Sequence, residues 1–160
     1  MKCGHQPSLA TPFSVSRPAN SHSLSLGGRH VSRILAVDPG DKRHGLAISD
    51  PTGLIARPLL VLEHTSRAAD VREIVLAAEK HEAGTIVVGI PYDIEGNPGP
   101  QARKALRLVE ALCEITSIPV LTWDESGSTQ AALQIRKSDQ LLDARAAAVI
   151  LQEYLNAQTD

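Results

Sequence analysis

Residues 34 to 50 read ILAVDPGDKRHGLAISD, two apolar runs joined by a segment of turn-forming residues. The first run ends on Asp38, and the Asp-Pro-Gly sequence that begins there is favourable turn chemistry. The second run resumes at Gly45. We therefore predict two strands, over 34–38 and 45–49, that pair antiparallel across the turn. Asp38 then either shapes the turn or points at a ligand beyond the end of the sheet.

The rest of the chain alternates apolar strands with amphipathic helices. Buried-looking runs over 59–62, 85–90 and 118–123 predict three further strands. Three helices are predicted: one capped by Ser66 and ended by Gly84, one through 105–112, and one over about 128–154 with a break near 138–139. The order β-β-β-α-β-α-β-α predicts an α/β fold, with a mixed five-stranded sheet and helices on both faces.

Length and composition bound the class of protein. The chain has 160 residues and is 42% hydrophobic, which suits one globular domain. It lacks an apolar run of about 18 residues, so we expect no membrane contact. Two cysteines are too few for a disulfide framework or a zinc knuckle. These features predict a cytoplasmic protein.

The two ends of the chain differ in charge. Residues 1–32 are rich in Ser, Pro, Gly and His and contain no acid, which predicts a disordered extension before a domain over 33–157. An organelle-targeting segment is the less favoured interpretation. From residue 34 onward, 12 basic minus 18 acidic residues give −6. Such a domain needs local basic patches or a bound cation before it can bind nucleic acid.

Carboxylates stand at three points where the chain meets its core. Asp38 ends the first strand, Asp124 and Glu125 follow the last one, and Asp143 lies three and four residues before the helical pair Ala146 and Ala147. The plainer interpretations are a turn aspartate, a solvated strand exit and an exposed helix-start acid. We favour a cluster, because an acid on the core-facing side of a helix needs a partner. Arg145 is too close in sequence to face Asp143, so a cation is the better candidate.

A cluster of carboxylates predicts a metal site. Like charges within a few ångströms raise each other's pKa and destabilise the fold unless a cation lies among them. Oxygen ligands suit Mg²⁺ or Mn²⁺, and paired ions can activate water and stabilise the leaving oxygen of a phosphodiester. Asp38 is the expected bridging ligand, with Glu125 and Asp143 flanking and Asp124 as a further candidate ligand.

Four segments resemble the YqgF family when they are taken together. They are VDPGDKRHGLAISD, IVVGIPYDIEGNPGPQARK, PVLTWDESGST and DARAAAVILQEYL, and the similarity covers about residues 33 to 156. Members of this family are associated with Holliday junction resolution or with trimming the precursor of small-subunit ribosomal RNA. The resemblance implies a ribonuclease H-like fold, with Asp38, Glu125 and Asp143 as the catalytic acids.

This chain departs from the family in two places. The family has an arginine after its Asp-Glu pair, where Ser126 stands here, and its stretch before the last aspartate is longer and more basic. An arginine there clamps a phosphate well, so the grip on substrate is in question. Four side chains are the remaining candidates for substrate binding: Lys42, Arg43, Gln101 and Arg103. The single tryptophan, Trp123, is expected to pack rather than to stack on a base.

The expected function is that of a metal-dependent endonuclease acting on structured nucleic acid, foremost the 5′ end of precursor 16S rRNA in ribosome biogenesis. A Holliday junction resolvase acting on branched DNA is one alternative. Another is a non-catalytic module that binds nucleic acid or ribosome assembly components. A two-lobed, actin-like ATPase needs more chain than this. The sequence leaves monomer and homodimer open.

Overall fold

The computed structural model of the protein describes residues 32–126 and 140–159. Its five strands are β1 (Arg33–Pro39), β2 (Arg43–Ser49), β3 (Ala56–Glu63), β4 (Ala83–Ile90) and β5 (Val120–Asp124). Its three helices are α1 (Arg67–Lys80), α2 (Pro100–Ile115) and α3 (Gln140–Thr159). None of the helices in these residues is both long and apolar enough to cross a membrane.

The strands form one mixed sheet in the order β3-β2-β1-β4-β5. β2 pairs antiparallel with both β1 and β3, whereas β4 pairs parallel with both β1 and β5. The predicted α/β fold, with its antiparallel start and parallel continuation, is confirmed. β1 is the central strand, so its carboxyl end opens at the middle of the sheet rather than at an edge.

Each face of the sheet has its own apolar core. Alternate residues of β1 divide between the faces, as the pleat of a strand requires. Leu35 and Val37 pack with α1 and α2, whose buried residues include Ile74 and Leu112. Ala36 lies on the other face, where it packs in a cluster with Ala47, Val87, Ala147 and Leu151, the last two from α3. Helices therefore cover both faces.

Several element boundaries differ from the sequence-based expectations. β2 begins at Arg43, so the turn after β1 is three residues long instead of six. α1 ends at Lys80, and Glu82 adopts the left-handed conformation (φ 56°) that the sequence suggested for a glycine. Gly84 lies inside β4 instead. The expected helical stretch over 128–139 and the extension over 1–31 lie outside the described residues.

Candidate active site

Asp38 lies on the α3 face of the sheet, near the carboxyl end of the central strand. It follows Ala36 by two positions, so it shares that residue's face, and it pairs in register with Gly45 of β2. Burial raises the pKa of the Asp38 carboxyl to about 7, and the nearby charge of Asp143 adds to the effect. A carboxyl with such a pKa is unfavourable as an anion unless a cation compensates it.

Asp143 reaches the site because Gly45 has no side chain. A Cβ atom at position 45 would lie 1.8 Å from the backbone carbonyl oxygen of Asp143, so α3 could not sit this close to β2. The Asp143 side chain is 34% exposed, less buried than its position on the helix suggested. Its Oδ2 lies 2.9 Å from Nε of Arg43 in an ion pair without good hydrogen-bond geometry. The sequence favoured a metal cation as the partner of Asp143, and the structure pairs it with the guanidinium of Arg43.

Glu125 enters the same face through a second glycine. A Cβ atom at Gly89 of β4 would lie 1.8 Å from Oε1 of Glu125 and 2.8 Å from Cδ1 of Ile150 on α3. Burial, followed by the charges of Asp38, Glu153 and Asp124, raises the pKa of the Glu125 carboxyl to about 8. Its buried Oε1 accepts no hydrogen bond within the described part of the chain. A buried carboxylate oxygen left in this state is a candidate metal ligand.

Asp124 diverges from Glu125, although the two are adjacent. Asp124 pairs in register with Ile90, a residue of the α1–α2 face. Its Oδ1 accepts a hydrogen bond from the Ser126 amide at 2.7 Å. Burial and, second, the charge of Asp124 raise the pKa of the Tyr92 hydroxyl. Of the acidic pair, Glu125 is therefore the member directed towards Asp38, and Asp124 shapes the turn after β5.

Glu153 is a fourth acid that sequence reasoning missed. It lies on α3 ten residues after Asp143, and its charge helps to raise the pKa of Glu125. The available signal was its position three residues after Ile150, which is fully buried on the stripe of α3 that faces the sheet. The apolar residues around Glu153 made this segment of α3 read as a purely hydrophobic stripe.

The donor chemistry of the site fits a divalent cation. Asp38, Glu125 and Asp143 supply carboxylate oxygens, and burial followed by neighbouring acids raises the pKa of Asp38 and of Glu125. Oε1 of Glu125 has no hydrogen-bond partner among the described residues. The carboxylate oxygens of these three acids do not all lie within 4.8 Å of one another. Within the described ranges, the group of three whose ligand atoms all lie within 4.8 Å of one another is His44, His64 and Asp70.

The predicted substrate contacts have different environments. Lys42 is exposed in the turn after β1, and Arg43 is paired with Asp143. Gln101 donates a hydrogen bond to Oδ2 of Asp41 at 2.6 Å, which ties the start of α2 to that turn. Arg103 donates to the carbonyl oxygen of Pro98 at 2.8 Å, within the loop that precedes α2. Arg43 is therefore the one of the four whose ion pair places it among the acids of the site.

Trp123 packs, as expected from the sequence. Its ring meets that of Tyr154 edge to face, with centroids 5.6 Å apart, in the cluster between the sheet and α3. Trp123 pairs in register with Gly89, so it buttresses the strand that leads into Glu125. A role in positioning this strand end follows, rather than one in contacting bases.

Comparison with known proteins identifies relatives over most of the chain. Residues 32–157 match the family model described as "RuvX: Holliday junction resolvase". A protein of Thermoanaerobacter pseudethanolicus named "Putative pre-16S rRNA nuclease" is 40% identical over 135 residues, covering 79% of this chain and 97% of its own length. A protein of the same name from Desulforudis audaxviator is 36% identical over 134 residues, covering 79% of this chain and 95% of its own length.

A solved structure shows the same fold. The structure described as T. thermophilus RuvC in complex with Holliday junction substrate superposes with a TM-score of 0.54 at 18% identity. The match covers 80% of this chain and 96% of the other. At this level of identity the likeness concerns the arrangement of strands and helices alone, and it agrees with the ribonuclease H-like fold expected from the sequence.

Proposed function

The chain belongs to the RuvX family, also called YqgF, and from that premise we propose that it is a metal-dependent endonuclease that cleaves phosphodiester bonds in structured RNA. Precursor 16S rRNA is the favoured substrate, since it is the one named for relatives at 40% and 36% identity that match over nearly their whole length. The observation that carries the proposal is the convergence of Asp38, Glu125 and Asp143 on one face of the sheet.

The three acids share one role in this proposal, which is to hold a divalent cation. Asp38, Glu125 and Asp143 would hold Mg²⁺ or Mn²⁺, because hard oxygen donors suit these ions. A divalent ion bound there supplies a water of lowered pKa and charge stabilisation at the leaving oxygen. The close packing permitted by Gly45 and Gly89 fixes the acids on α3 and after β5 relative to Asp38. This rigidity supports positioning of the scissile phosphate.

Arg43 is the residue proposed to orient the phosphate. Its Nε contacts Asp143, and a guanidinium has further N–H donors that can bind a phosphate oxygen. Ser126 stands where the family has its arginine, so Arg43 would supply a guanidinium to this site from a different strand. The net charge of −6 from residue 34 onward makes such local cations necessary for RNA binding.

A second candidate is an RNA-binding module without catalysis. The ion pair of Arg43 with Asp143 favours the binding module, because the guanidinium compensates the negative charge of one acid without any metal. The raised pKa values of Asp38 and Glu125 favour the nuclease, since neither acid forms an ion pair with a cation in the described part of the chain.

A cleavage assay separates the two candidates. Precursor 16S rRNA and a four-way DNA junction are incubated with the protein in Mg²⁺, in Mn²⁺ and in chelator. The nuclease proposal expects chelator-sensitive cleavage that Asp38→Asn and Asp143→Asn abolish. Glu73→Gln, an exposed acid on α1 beyond the opposite face, should leave cleavage intact. Retarded migration without cleavage, unchanged by either aspartate substitution, would overturn the nuclease proposal and support the binding module.

A further inference from the structure

Two histidines and an aspartate meet on the face of the sheet opposite the acids described above. Oδ2 of Asp70 lies 3.0 Å from Nε2 of His44 and 2.5 Å from Nδ1 of His64. The ligand atoms of the three residues all lie within 4.8 Å of one another. The side chains of His44 and Asp70 are 7% and 3% exposed, whereas that of His64 is 43% exposed. The cluster is thus buried on one side and open to water on the other.

Three separate elements build this cluster. His44 precedes Gly45 in β2, and because Gly45 faces α3, the alternation of the strand turns His44 towards α1. Asp70 lies in the first turn of α1, and His64 directly follows β3. The cluster therefore has no residue in common with the acid site, and the sheet itself lies between them.

Asp70 is the hydrogen-bonded centre of the cluster. Burial alone would raise the pKa of this carboxyl, but hydrogen bonds from His44, His64 and the Thr65 amide hold it below its usual value. The Gly40 amide donates to Nδ1 of His44 at 3.3 Å, so the proton of a neutral His44 ring is on Nε2, facing Asp70. Asp70 thus occupies its buried position as an anion with two imidazole partners.

We propose that His44, His64 and Asp70 form a zinc site with an open coordination position on the side of His64. Two imidazole nitrogens and one carboxylate oxygen are a donor set that zinc takes at sites retaining one position for water or substrate. The exposure of His64 provides the route by which the ion enters and the direction in which a fourth ligand would lie. Mg²⁺, the ion suited to the acid site, prefers all-oxygen ligands and would bind poorly to a site with two imidazole nitrogens.

Zinc binding would require two local changes. Ligand atoms around a tetrahedral zinc ion lie about 3.3 Å apart, so the nitrogens of His44 and His64 must move away from Oδ2 of Asp70, by a few tenths of an ångström and by somewhat under 1 Å respectively. His64 can supply most of this movement because it is exposed at the end of β3. Coordination by Nε2 also transfers the proton of His44 to Nδ1, which ends its hydrogen bond from Gly40.

This tautomer change links the zinc site to the turn after β1. Gly40 lies two residues after Asp38, and the neighbouring Asp41 accepts hydrogen bonds from Gln101 and Lys104 of α2. Zinc at His44 would therefore release one amide of the turn that adjoins the acid site. The Gly40 amide is a probe for this change, because within the described residues its histidine contact is with His44.

Zinc titration of the full chain tests the proposal. Wild type, His64→Ala and His81→Ala are titrated against a chromophoric zinc competitor, and His81 serves as control because it lies at the end of α1 away from the cluster. His64→Ala is preferred to a change at buried His44, which could unfold the protein. Wild type and His81→Ala should share one tightest binding event that His64→Ala loses, and zinc should raise the melting temperature of the first two only.

Histidines outside the cluster do not affect the comparison of these variants. His5, His22 and His30 are present in every variant, so any zinc they bind cancels in the comparison. In ¹⁵N–¹H spectra, one equivalent of zinc should shift the Gly40 amide of wild type and leave that of His64→Ala in place. Equal zinc stoichiometry and affinity for wild type and His64→Ala would overturn the proposal and leave the cluster as a metal-free hydrogen-bonded link between β2, β3 and α1.

Discussion

Asp38→Asn should make the metal-free protein more stable, and the gain should grow as the pH rises. The pKa of this carboxyl is about 7 in the folded protein, against 3.8 for an ordinary aspartate. Between pH 4 and pH 7 the folded state therefore keeps a proton that the unfolded state has lost. Stability falls with rising pH wherever the folded state binds more protons. Asparagine keeps the shape of the protonated acid and removes this dependence.

The structure gives the size of the effect. A displacement of about 3 pH units at about 1.4 kcal/mol each sets an upper limit of about 4 kcal/mol above pH 7. Part of the repulsion from Asp143 is already relieved by Arg43, and the site can relax, so we expect a gain of about 1–3 kcal/mol at pH 8.5. At pH 4 the same substitution should be nearly neutral.

Urea denaturation in chelator at pH 4, 5.5, 7 and 8.5 measures the gain directly. Glu73→Gln removes one negative charge from the exposed surface of α1 and controls for net charge. Its effect should be small at every pH. The reasoning fails if Asp38→Asn is no more stable than wild type at pH 8.5, or if its gain does not change with pH.

Three further outcomes follow from the geometry of the acid site. Gly45→Ala should destabilise the protein by about 1–3 kcal/mol or more in urea denaturation, since its Cβ meets the backbone of α3. Gly99→Ala, with open space around its Cβ, should cost less, because it loses only the preference for glycine over alanine at the N-cap of α2. Arg43→Ala should strengthen Mn²⁺ binding by about twofold to fivefold in calorimetry, because a half-exposed guanidinium no longer competes for Asp143, and weaker binding would contradict this. Mg²⁺ should raise the melting temperature more at pH 8 than at pH 5, where protons occupy the acids, and an equal rise at both would count against the site.

The hairpin over 34–50 predicted most of the fold. Its alternation of faces, with the order of later strands and helices, predicted the mixed sheet and placed Asp38 at the end of the first strand, whereas the central position of that strand is seen only in the structure. Local hydrophobic pattern was sufficient because the inner strands β1, β2 and β4 contribute buried residues to the cores on both faces. The end of α1 was missed because Glu82 adopts a left-handed conformation that sequence preference assigns to glycine.

The details of the candidate site depend on contacts that sequence spacing does not encode. Nothing in the segment around Gly89 indicates that Glu125, which follows β5, will lie over this glycine. Which of Asp124 and Glu125 is directed towards Asp38 depends on the register of β5 against β4. The pairing of Arg43 with Asp143 joins residues 100 positions apart. The histidine cluster was hidden for the same reason, since His44 and Asp70 meet only when α1 crosses the sheet.

Binding of Mn²⁺ to the acid site tests the central claim most directly. Free Mn²⁺ is followed by electron paramagnetic resonance at pH 8 while three proteins are added: His64→Ala alone as the parent, His64→Ala with Asp38→Asn, and His64→Ala with Glu73→Gln. The change at His64 removes any contribution from the histidine cluster. The account predicts that the Glu73→Gln protein binds like its parent and that Asp38→Asn abolishes the tightest binding. Indistinguishable Mn²⁺ binding by all three proteins would contradict a metal site built from Asp38, Glu125 and Asp143.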